Sequence, residues 1–545
     1  MREGRKRESF LCFFIFVCAL LPRLWAIDAF LTPDERRWLE RSVYFLAALL
    51  VGDPAGTLLR GHPGVTTMWA GSTGLVSKFL AEGWPLTRES LWDFLRHTPT
   101  EAVQPDYLLA LRWPIALLTS LGVVAIYLLV KRLFGKPVAL LSAALIAFDP
   151  FYLAHSRFLH HDALVSTFMS LSLLTLLVYL WRGGQRYLAF SGVCCGLALL
   201  SKSTAVFLLP FAGLLFLWSW AAGGRKEGGR WLAKLGLWGV IVAAAFVLLW
   251  PAMWVSPEET LAKMEEKASG MAGVDHHPTG DFFLGQPTLV AKTLAYPLMT
   301  LLRLTPLTLV GLAMAAFLGR GYLFTGEGKK TGLAGPAFSL AAYVALFTLF
   351  MTLGGVRYDR YLLPIYPSLE ILASLGLAWL LRSLAHARCP ALLKCQAPLA
   401  VAVLVLQAAF ALPHVPYYLT FYNPLVGGGH VAPKLTLVGW GEGLDKVARY
   451  LNAKPEVKET KVAIQYPTEF APFYRGEALS LHTEDESEPP PWEQADYVVF
   501  YLPQVQSLVP DEAMVRRFQS LRPERIIRLK GIDYAWIYKG DRDGK

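Results

Sequence analysis

The chain has 545 residues, of which 54% are hydrophobic, 13% aromatic and only 17% charged, with a mean hydropathy of +0.39. Soluble domains average about 25% charged residues, so this composition excludes an ordinary soluble enzyme and indicates a chain that crosses a membrane many times. The formal charge of +10 does not signal nucleic-acid binding, because the basic residues fall in short clusters between apolar stretches instead of lining one face.

The first apolar run covers residues 9–27 and is preceded by Arg2, Arg5, Lys6 and Arg7. The positive-inside rule then predicts a cytoplasmic N-terminus and places the next segment, 28–107, on the opposite face. No small-x-small cleavage pattern follows, and Arg23-Leu24-Trp25 interrupts the run, so it reads as a retained span and not a secretory signal. At about 20 apolar residues per span, further candidates lie at 108–130, 137–154, 163–181, 187–201, 204–220, 231–252, 289–318, 333–353, 361–381 and 396–413. The short turns assigned to the cytoplasm carry Lys131-Arg132, Arg182 to Arg186, Arg225-Lys226, Arg320 to Lys330 and Arg382 to Lys394. About eleven spans put the C-terminus on the same outward face as segment 28–107. None of the six cysteines lies in an outward segment or in a CxxC pair, which argues against disulfides and thiolate metal sites.

After Pro413 the composition becomes that of a soluble module. Leu444, Val447, Ala448 and Leu451 mark an amphipathic helix, residues 461–466 and 495–502 read as strands, and 526–529 with 534–538 read as a hairpin around Lys530-Gly531-Ile532-Asp533. Gly427-Gly428-Gly429 follows no strand, so a nucleotide-phosphate cradle is not indicated. The expected fold is an all-α polytopic membrane protein, residues 1–413, with a small extracytoplasmic α/β domain, residues 414–545.

Polar residues gather in the outward turns. Segment 28–107 holds Thr32-Pro33-Asp34-Glu35-Arg36-Arg37 and Arg60-Gly61-His62-Pro63-Gly64. The turn after residue 154 holds His155-Ser156-Arg157-Phe158-Leu159-His160-His161-Asp162. Lys202 stands alone at its boundary, and Arg357-Tyr358-Asp359-Arg360-Tyr361 precedes the tenth span. Carboxylates with fixed cations on one membrane face suit displacement at a carbon bearing a phosphate leaving group: a base deprotonates the acceptor and cations hold the departing phosphate. Plainer roles exist for the same residues. Asp34-Glu35 makes a good helix start, His160-His161 fits a solvated turn, Lys202 suits a snorkelling anchor, and Arg357 and Arg360 suit boundary charges paired with Asp359. A zinc site combining His160-His161 with His62 or His276-His277 has no spacing rule behind it.

Asp34-Glu35, Ser156-Arg157-Phe158-Leu159-His160-His161-Asp162-Ala163-Leu164, Gly196-Leu197-Ala198-Leu199-Leu200-Ser201-Lys202 and Tyr358-Asp359-Arg360-Tyr361-Leu362-Leu363-Pro364 together resemble the protein O-mannosyltransferase family and its wider group, which includes the aminoarabinose transferase of lipid A. Trp250-Pro251-Ala252-Met253-Trp254 and Tyr422-Asn423-Pro424-Leu425 look like bacterial members, and the resemblance extends over roughly residues 10–425. It implies a GT-C-like membrane glycosyltransferase that takes a hexose, mannose-like, from a polyisoprenyl phosphate and inverts the anomeric carbon. By position it implies a catalytic set of Asp34, Asp162 and Glu35, with Asp34 activating the acceptor hydroxyl. Lys202, Arg157, Arg357 and Arg360 are then expected at the donor phosphate, and His62, His161, Asp359 and Tyr361 at the substrate. Arg357 stands where relatives more often carry lysine.

The implied partners are a polyisoprenyl-phosphate sugar, a protein or glycan/lipid acceptor and membrane lipids, with no nucleic acid. No cofactor is required on this reading, and a divalent metal is left open. The implied location is the inner (plasma) membrane. A transporter would instead place charges near the bilayer midplane, and a metal-dependent oligosaccharyltransferase-like enzyme would want an acid-x-acid motif that Asp34-Glu35-Arg36 lacks.

Overall fold

The computed structural model describes residues 2–61, 63–222, 230–273, 281–288, 293–324, 333–355, 357–387, 396–482 and 490–540. Among these, six helices are long and apolar enough to cross a membrane, and up to eight spans result if each of two sharply bent helix pairs counts as one. Among the described residues the helices do not follow the eleven apolar runs one for one, because apolar runs are not all unbroken helices. The run at 137–154 is cut after the 12-residue helix Lys136–Ala147. There Asp149 accepts a bond from the Tyr152 amide and caps a new short helix, Pro150–His155. The run at 289–318 bends by 117° between Ala295–Arg303 and Pro306–Phe317. Exposed apolar side chains such as Phe13, Val240, Leu248, Phe317 and Phe338 make a surface suited to lipid, not to water.

Segment 28–107 folds into three helices, Glu35–Val51, Val65–Ala81 and Arg88–His97. It is tied to the long helix Pro105–Phe134 by Arg112, which that helix buries at 1% exposure. The guanidinium donates to both Glu35 carboxylate oxygens, Nε at 2.7 Å and Nη2 at 2.6 Å, and to the Ile27 and Phe30 carbonyls. A bidentate pair of this kind fixes orientation as well as position.

The C-terminal part contains a five-stranded sheet: β1 (Lys461–Ile464), β2 (Glu477–Ser480), β3 (Tyr497–Tyr501), β4 (Arg525–Leu529) and β5 (Ile532–Lys539). The order is β2-β1-β3-β5-β4, with β1 parallel to both β2 and β3, and β5 antiparallel to β3 and β4. Near-continuous apolar β1 and β3 read as buried parallel strands should. The hairpin turn sits at Lys530-Gly531, where both residues take positive φ. The helix Leu444–Asn452 packs its Leu444, Val447, Ala448 and Leu451 face inward.

This sheet is not a detached module. One buried cluster runs from Ile126 and Tyr152 of the bundle through Tyr417, Tyr418 and Tyr422 to Ile464 and Val499 of the sheet. Tyr418 donates to the Pro22 carbonyl at 2.9 Å. At Gly441 (φ +102°) a Cβ would lie 2.1 Å from the Leu31 carbonyl oxygen, so the loop preceding that helix is seated directly on segment 28–107.

Candidate active site

The start of helix Glu35–Val51 reverses the usual division of labour. Asp34 occupies the N-cap position, yet its side chain accepts no capping bond. Glu35 instead takes the Thr32 amide and hydroxyl, both at 3.0 Å, the Leu159 amide at 3.0 Å, and Arg112. Burial alone would raise the Glu35 carboxyl; the Arg112 guanidinium and these N–H groups outweigh it and hold it below the usual glutamate value. Every strong contact of Glu35 is thus structural. At 1% exposure it positions the loop, and of the expected catalytic pair Asp34 is the one that faces the cavity.

Asp34 faces a charge cluster assembled from three distant parts of the chain. Its Oδ2 lies 3.5 Å from His160 Nε2 and 3.7 Å from an Arg360 terminal nitrogen. Burial pushes the Asp34 carboxyl up, but His160 and Arg360 outweigh it and hold the carboxyl below its ordinary value. Asp162, in the first turn of helix His161–Arg182, is 1% exposed. Lys202 Nζ donates to its Oδ1 at 2.7 Å, His160 Nδ1 and His161 Nε2 stand at 3.3 and 3.4 Å, and Arg360 Nε at 3.5 Å. Lys202 can reach it because its extended backbone ends helix Gln185–Ser201. Its ammonium also lies 3.9 Å from the Tyr361 ring centroid. The sequence regions of Asp34, Asp162, Lys202 and Arg360 therefore meet at one end of the bundle, with Tyr361 and His161 beside them; Trp38 stacks edge-on against His161 at 5.2 Å.

The other expected residues have different partners. Arg157 is 1% exposed and donates to the Trp25 and Ala26 carbonyls at 2.7 and 2.5 Å, under the Tyr418 ring. It is a strut between the segment after the first helix and the turn, and it is not among the residues lining the cavity beside Asp34. Arg357 donates to the Gly354 carbonyl at 2.8 Å and lines the cavity described below. Asp359 is held by Arg303 at 2.7 and 2.8 Å and itself accepts the Arg360 amide at 2.7 Å, so it aligns Arg360. His62, His276 and His277 lie outside the described residues.

His160, His161 and Asp162 each place one ligand-type atom within 4.8 Å of the others. As a metal set it is poorly matched: Lys202 and Arg360 already supply two cations to Asp162, and His160 Nε2 is turned toward Asp34.

Sequence reading missed several contributors. Arg112 and Arg303 sit in apolar runs, where a buried guanidinium is costly unless it serves a purpose; that was the available signal. His160, not expected at the site except as a zinc ligand, bridges Asp34 and Asp162. Trp440 comes from the C-terminal part and packs against Arg360 at 4.9 Å, His160 at 5.1 Å and His155 at 5.3 Å. It closes a cavity of about 300 Å³ whose walls include Asp34, Arg357, Arg360, Trp440 and Glu442. His155, beneath it, is pushed down to about 3 by burial, so its imidazole is neutral at ordinary pH.

Residues 102–254, which contain Arg112, the His160–Asp162 turn and Lys202, match the family model for dolichyl-phosphate-mannose-protein mannosyltransferases. That part of the chain is thus similar to a family of polyprenyl-phosphate-dependent membrane glycosyltransferases. No curated protein matches it at a significant level of sequence similarity. The apo oligosaccharyltransferase of Archaeoglobus fulgidus aligns with a TM-score of 0.50 at 13% identity, over 93% of this chain and 72% of that one, which shows a shared fold. ArnT from Cupriavidus metallidurans, bound to undecaprenyl phosphate, aligns over 98% of each chain at 15% identity and a TM-score of 0.45. The S. cerevisiae protein O-mannosyltransferase Pmt1–Pmt2 complex bound to its sugar donor aligns over 47% of this chain and 34% of that one, at 19% identity and a TM-score of 0.37.

Proposed function

We propose that this protein is a glycosyltransferase that moves a hexose, mannose-like, from a polyisoprenyl phosphate to an acceptor hydroxyl on the extracytoplasmic face of the membrane, inverting the anomeric carbon. The observation that carries the reading is the approach of Asp34, with no capping duty, to a buried Asp162–Lys202–Arg360 cluster. Asp34 takes the acceptor proton while the hydroxyl oxygen attacks the anomeric carbon; the bond from that carbon to the phosphate oxygen breaks, and its electron pair leaves with the lipid phosphate. Lys202, Arg360 and Arg357 neutralise that phosphate. Preorganised cations in a dry site stabilise developing charge without reorganisation.

Asp162 serves as the counter-charge that keeps Lys202 and Arg360 converged before substrate arrives. His160 spans the gap between the two carboxylates and orients Asp34. Residues 1–413 then form the catalytic membrane unit and residues 414–545 an extracytoplasmic cover.

The test incubates the purified full-length protein with labelled polyisoprenyl-phosphate sugars, mannose first, and with hydroxyl acceptors, and follows release of free lipid phosphate. Acceptor-dependent release supports the reading. Absence of release with every hexose donor, from protein that binds undecaprenyl phosphate, contradicts it.

A further inference from the structure

The cavity beside Asp34 has a second wall with its own chemistry. In the sheet, the chain passes from β1 to β2 on one side and then returns to β3 on the other side of β1. The carboxyl ends of β1 and β3 are thus a topological switch point, the place where open parallel sheets leave a crevice for ligands. Gln465 and Tyr466 follow β1 directly, and Pro503 and Gln504 follow β3. All four line the cavity that also contains Asp34.

Three polar atoms on this wall are buried and have no protein partner among the described residues: Glu442 Oε1, Gln465 Oε1 and Gln504 Nε2. Glu442 and Gln504 are only 1% and 2% exposed. Their other atoms are fixed. Glu442 Oε2 accepts the Trp440 amide at 2.6 Å and the Tyr501 hydroxyl at 3.2 Å, and Gln504 Oε1 accepts the Tyr501 amide at 3.1 Å. A buried polar atom without a partner costs about 1–3 kcal/mol, and three of them around one cavity mark groups built to meet a ligand. Two accept and one donates, between the aromatic side chains of Trp440 and Tyr466. That alternation suits a ring bearing several hydroxyls. An extended peptide would need a free strand edge, and the cavity lies at the strand ends instead.

We propose that this crevice is a carbohydrate subsite for the acceptor: Glu442 Oε1 and Gln465 Oε1 accept hydroxyls, Gln504 Nε2 donates to one, and the ring so held presents a further hydroxyl to Asp34. The acceptor is therefore a glycan or glycolipid sugar. The word acceptor rests on the function proposed above; the sugar-binding crevice does not. At about 300 Å³ it sits at the small end of ligand cavities, enough for one ring and not for a long chain.

The experiment uses full-length protein in lipid nanodiscs, loaded with undecaprenyl phosphate, and titrates methyl α-mannopyranoside, methyl β-glucopyranoside and a serine/threonine-rich peptide by calorimetry. The wild type should bind a glycoside and not the peptide. Gln465→Leu, which keeps the side chain's size and cuts no bond of the fold, should weaken that binding about tenfold, the scale of one lost hydrogen bond, without changing the affinity for undecaprenyl phosphate. Trp440→Phe supplies a second, independent variant and should weaken it as well. In turnover the same substitutions should raise KM for a glycoside acceptor.

Glycoside binding that neither variant alters, or binding of the peptide in preference, overturns the proposal. A rise in KM for the lipid-phosphate sugar with glycoside affinity unmoved would give the crevice to the donor and overturn the acceptor assignment. Glycoside binding that Gln465→Leu weakens, in a protein that transfers no lipid-linked sugar, would uphold the crevice and sink the proposed function instead.

Discussion

The two walls of the cavity solve opposite problems. On the bundle side the carboxylates around the site meet cations: Asp162 has Lys202 and Arg360, Glu35 has Arg112, Asp359 has Arg303. On the sheet side, Glu442, Gln465 and Gln504 keep polar atoms with no hydrogen-bond partner among the described residues, whereas the bundle-side atoms without one, such as those of His155 and Arg360 Nε, lie within the charge cluster. Charges arranged in advance lower a barrier because nothing needs to move when charge develops, whereas unpaired donors and acceptors gain only when a ligand arrives. On the proposed reading, chemistry falls to one wall and recognition to the other. Substitutions on the bundle side should therefore alter turnover first, and those on the sheet side should alter acceptor affinity.

The largest effect expected is for Asp34→Asn. Removal of a general base costs about 10²–10⁴ in rate, so a single-turnover assay should show that loss with donor affinity intact. Near-normal turnover would return Asp34 to a surface role and collapse the contrast between the walls.

Lys202→Ala comes next. A charge-assisted bond is worth about 1.5–3 kcal/mol, and its loss should weaken use of the lipid-phosphate donor by about one to two orders of magnitude while acceptor KM holds. Because Lys202 also neutralises buried Asp162, a thermal melt should accompany the kinetics; Lys202→Arg, if it folds, should recover part of the donor binding.

For Glu35→Gln the damage should appear in stability, not in chemistry. Breaking one side of a fully buried pair costs about 3–5 kcal/mol, read as a lowered melting temperature in detergent. Glu35 has its carboxyl depressed by Arg112, so this stabilisation is complete above the usual glutamate pKa and is lost as pH falls through the lower folded value. A well-folded Glu35→Gln protein with turnover as low as Asp34→Asn would make Glu35 the base after all.

The smallest effect is on the pH profile. Asp34 is held below its ordinary value by His160 and Arg360, so it stays ionised from neutral pH down past about 4, the usual aspartate value. The acid limb of single-turnover rate should lie below that point. An acid limb between pH 5 and 7 would mean that a different group carries the proton.

Much of the bundle side could be read from residues alone. Asp34, Asp162, Lys202 and Arg360 are each ionisable in an apolar setting and each close a span at the same end, so topology alone brings them toward one face. Which acid of the Asp34-Glu35 pair caps the helix could not be read, since both residues suit that place; Arg112, 77 positions away, decides it by claiming Glu35. Arg157 looked equivalent to Arg360, and only the packing of Trp25 and Ala26 against it shows a strut. Helix ends could not be read where Asp149 and the bend after Arg303 interrupt apolar runs that hydropathy treats as continuous. The sheet wall left little trace, because Gln465 and Gln504 are unremarkable after any strand. Its best signal was Gly439-Trp440-Gly441-Glu442-Gly443, where all three glycines take positive φ, a pattern no helix or strand period explains.

The central claim is that Asp34 acts as a base toward an acceptor held against a pre-charged phosphate site, and the anomeric outcome of one turnover tests it most directly. Quenched single-turnover reactions of the wild type, with product anomers resolved by NMR, should give a glycoside of configuration opposite to the donor and one free lipid phosphate per sugar transferred, with no sugar bound to the protein. Retained configuration, or a glycosyl group trapped on Asp34, would contradict the account.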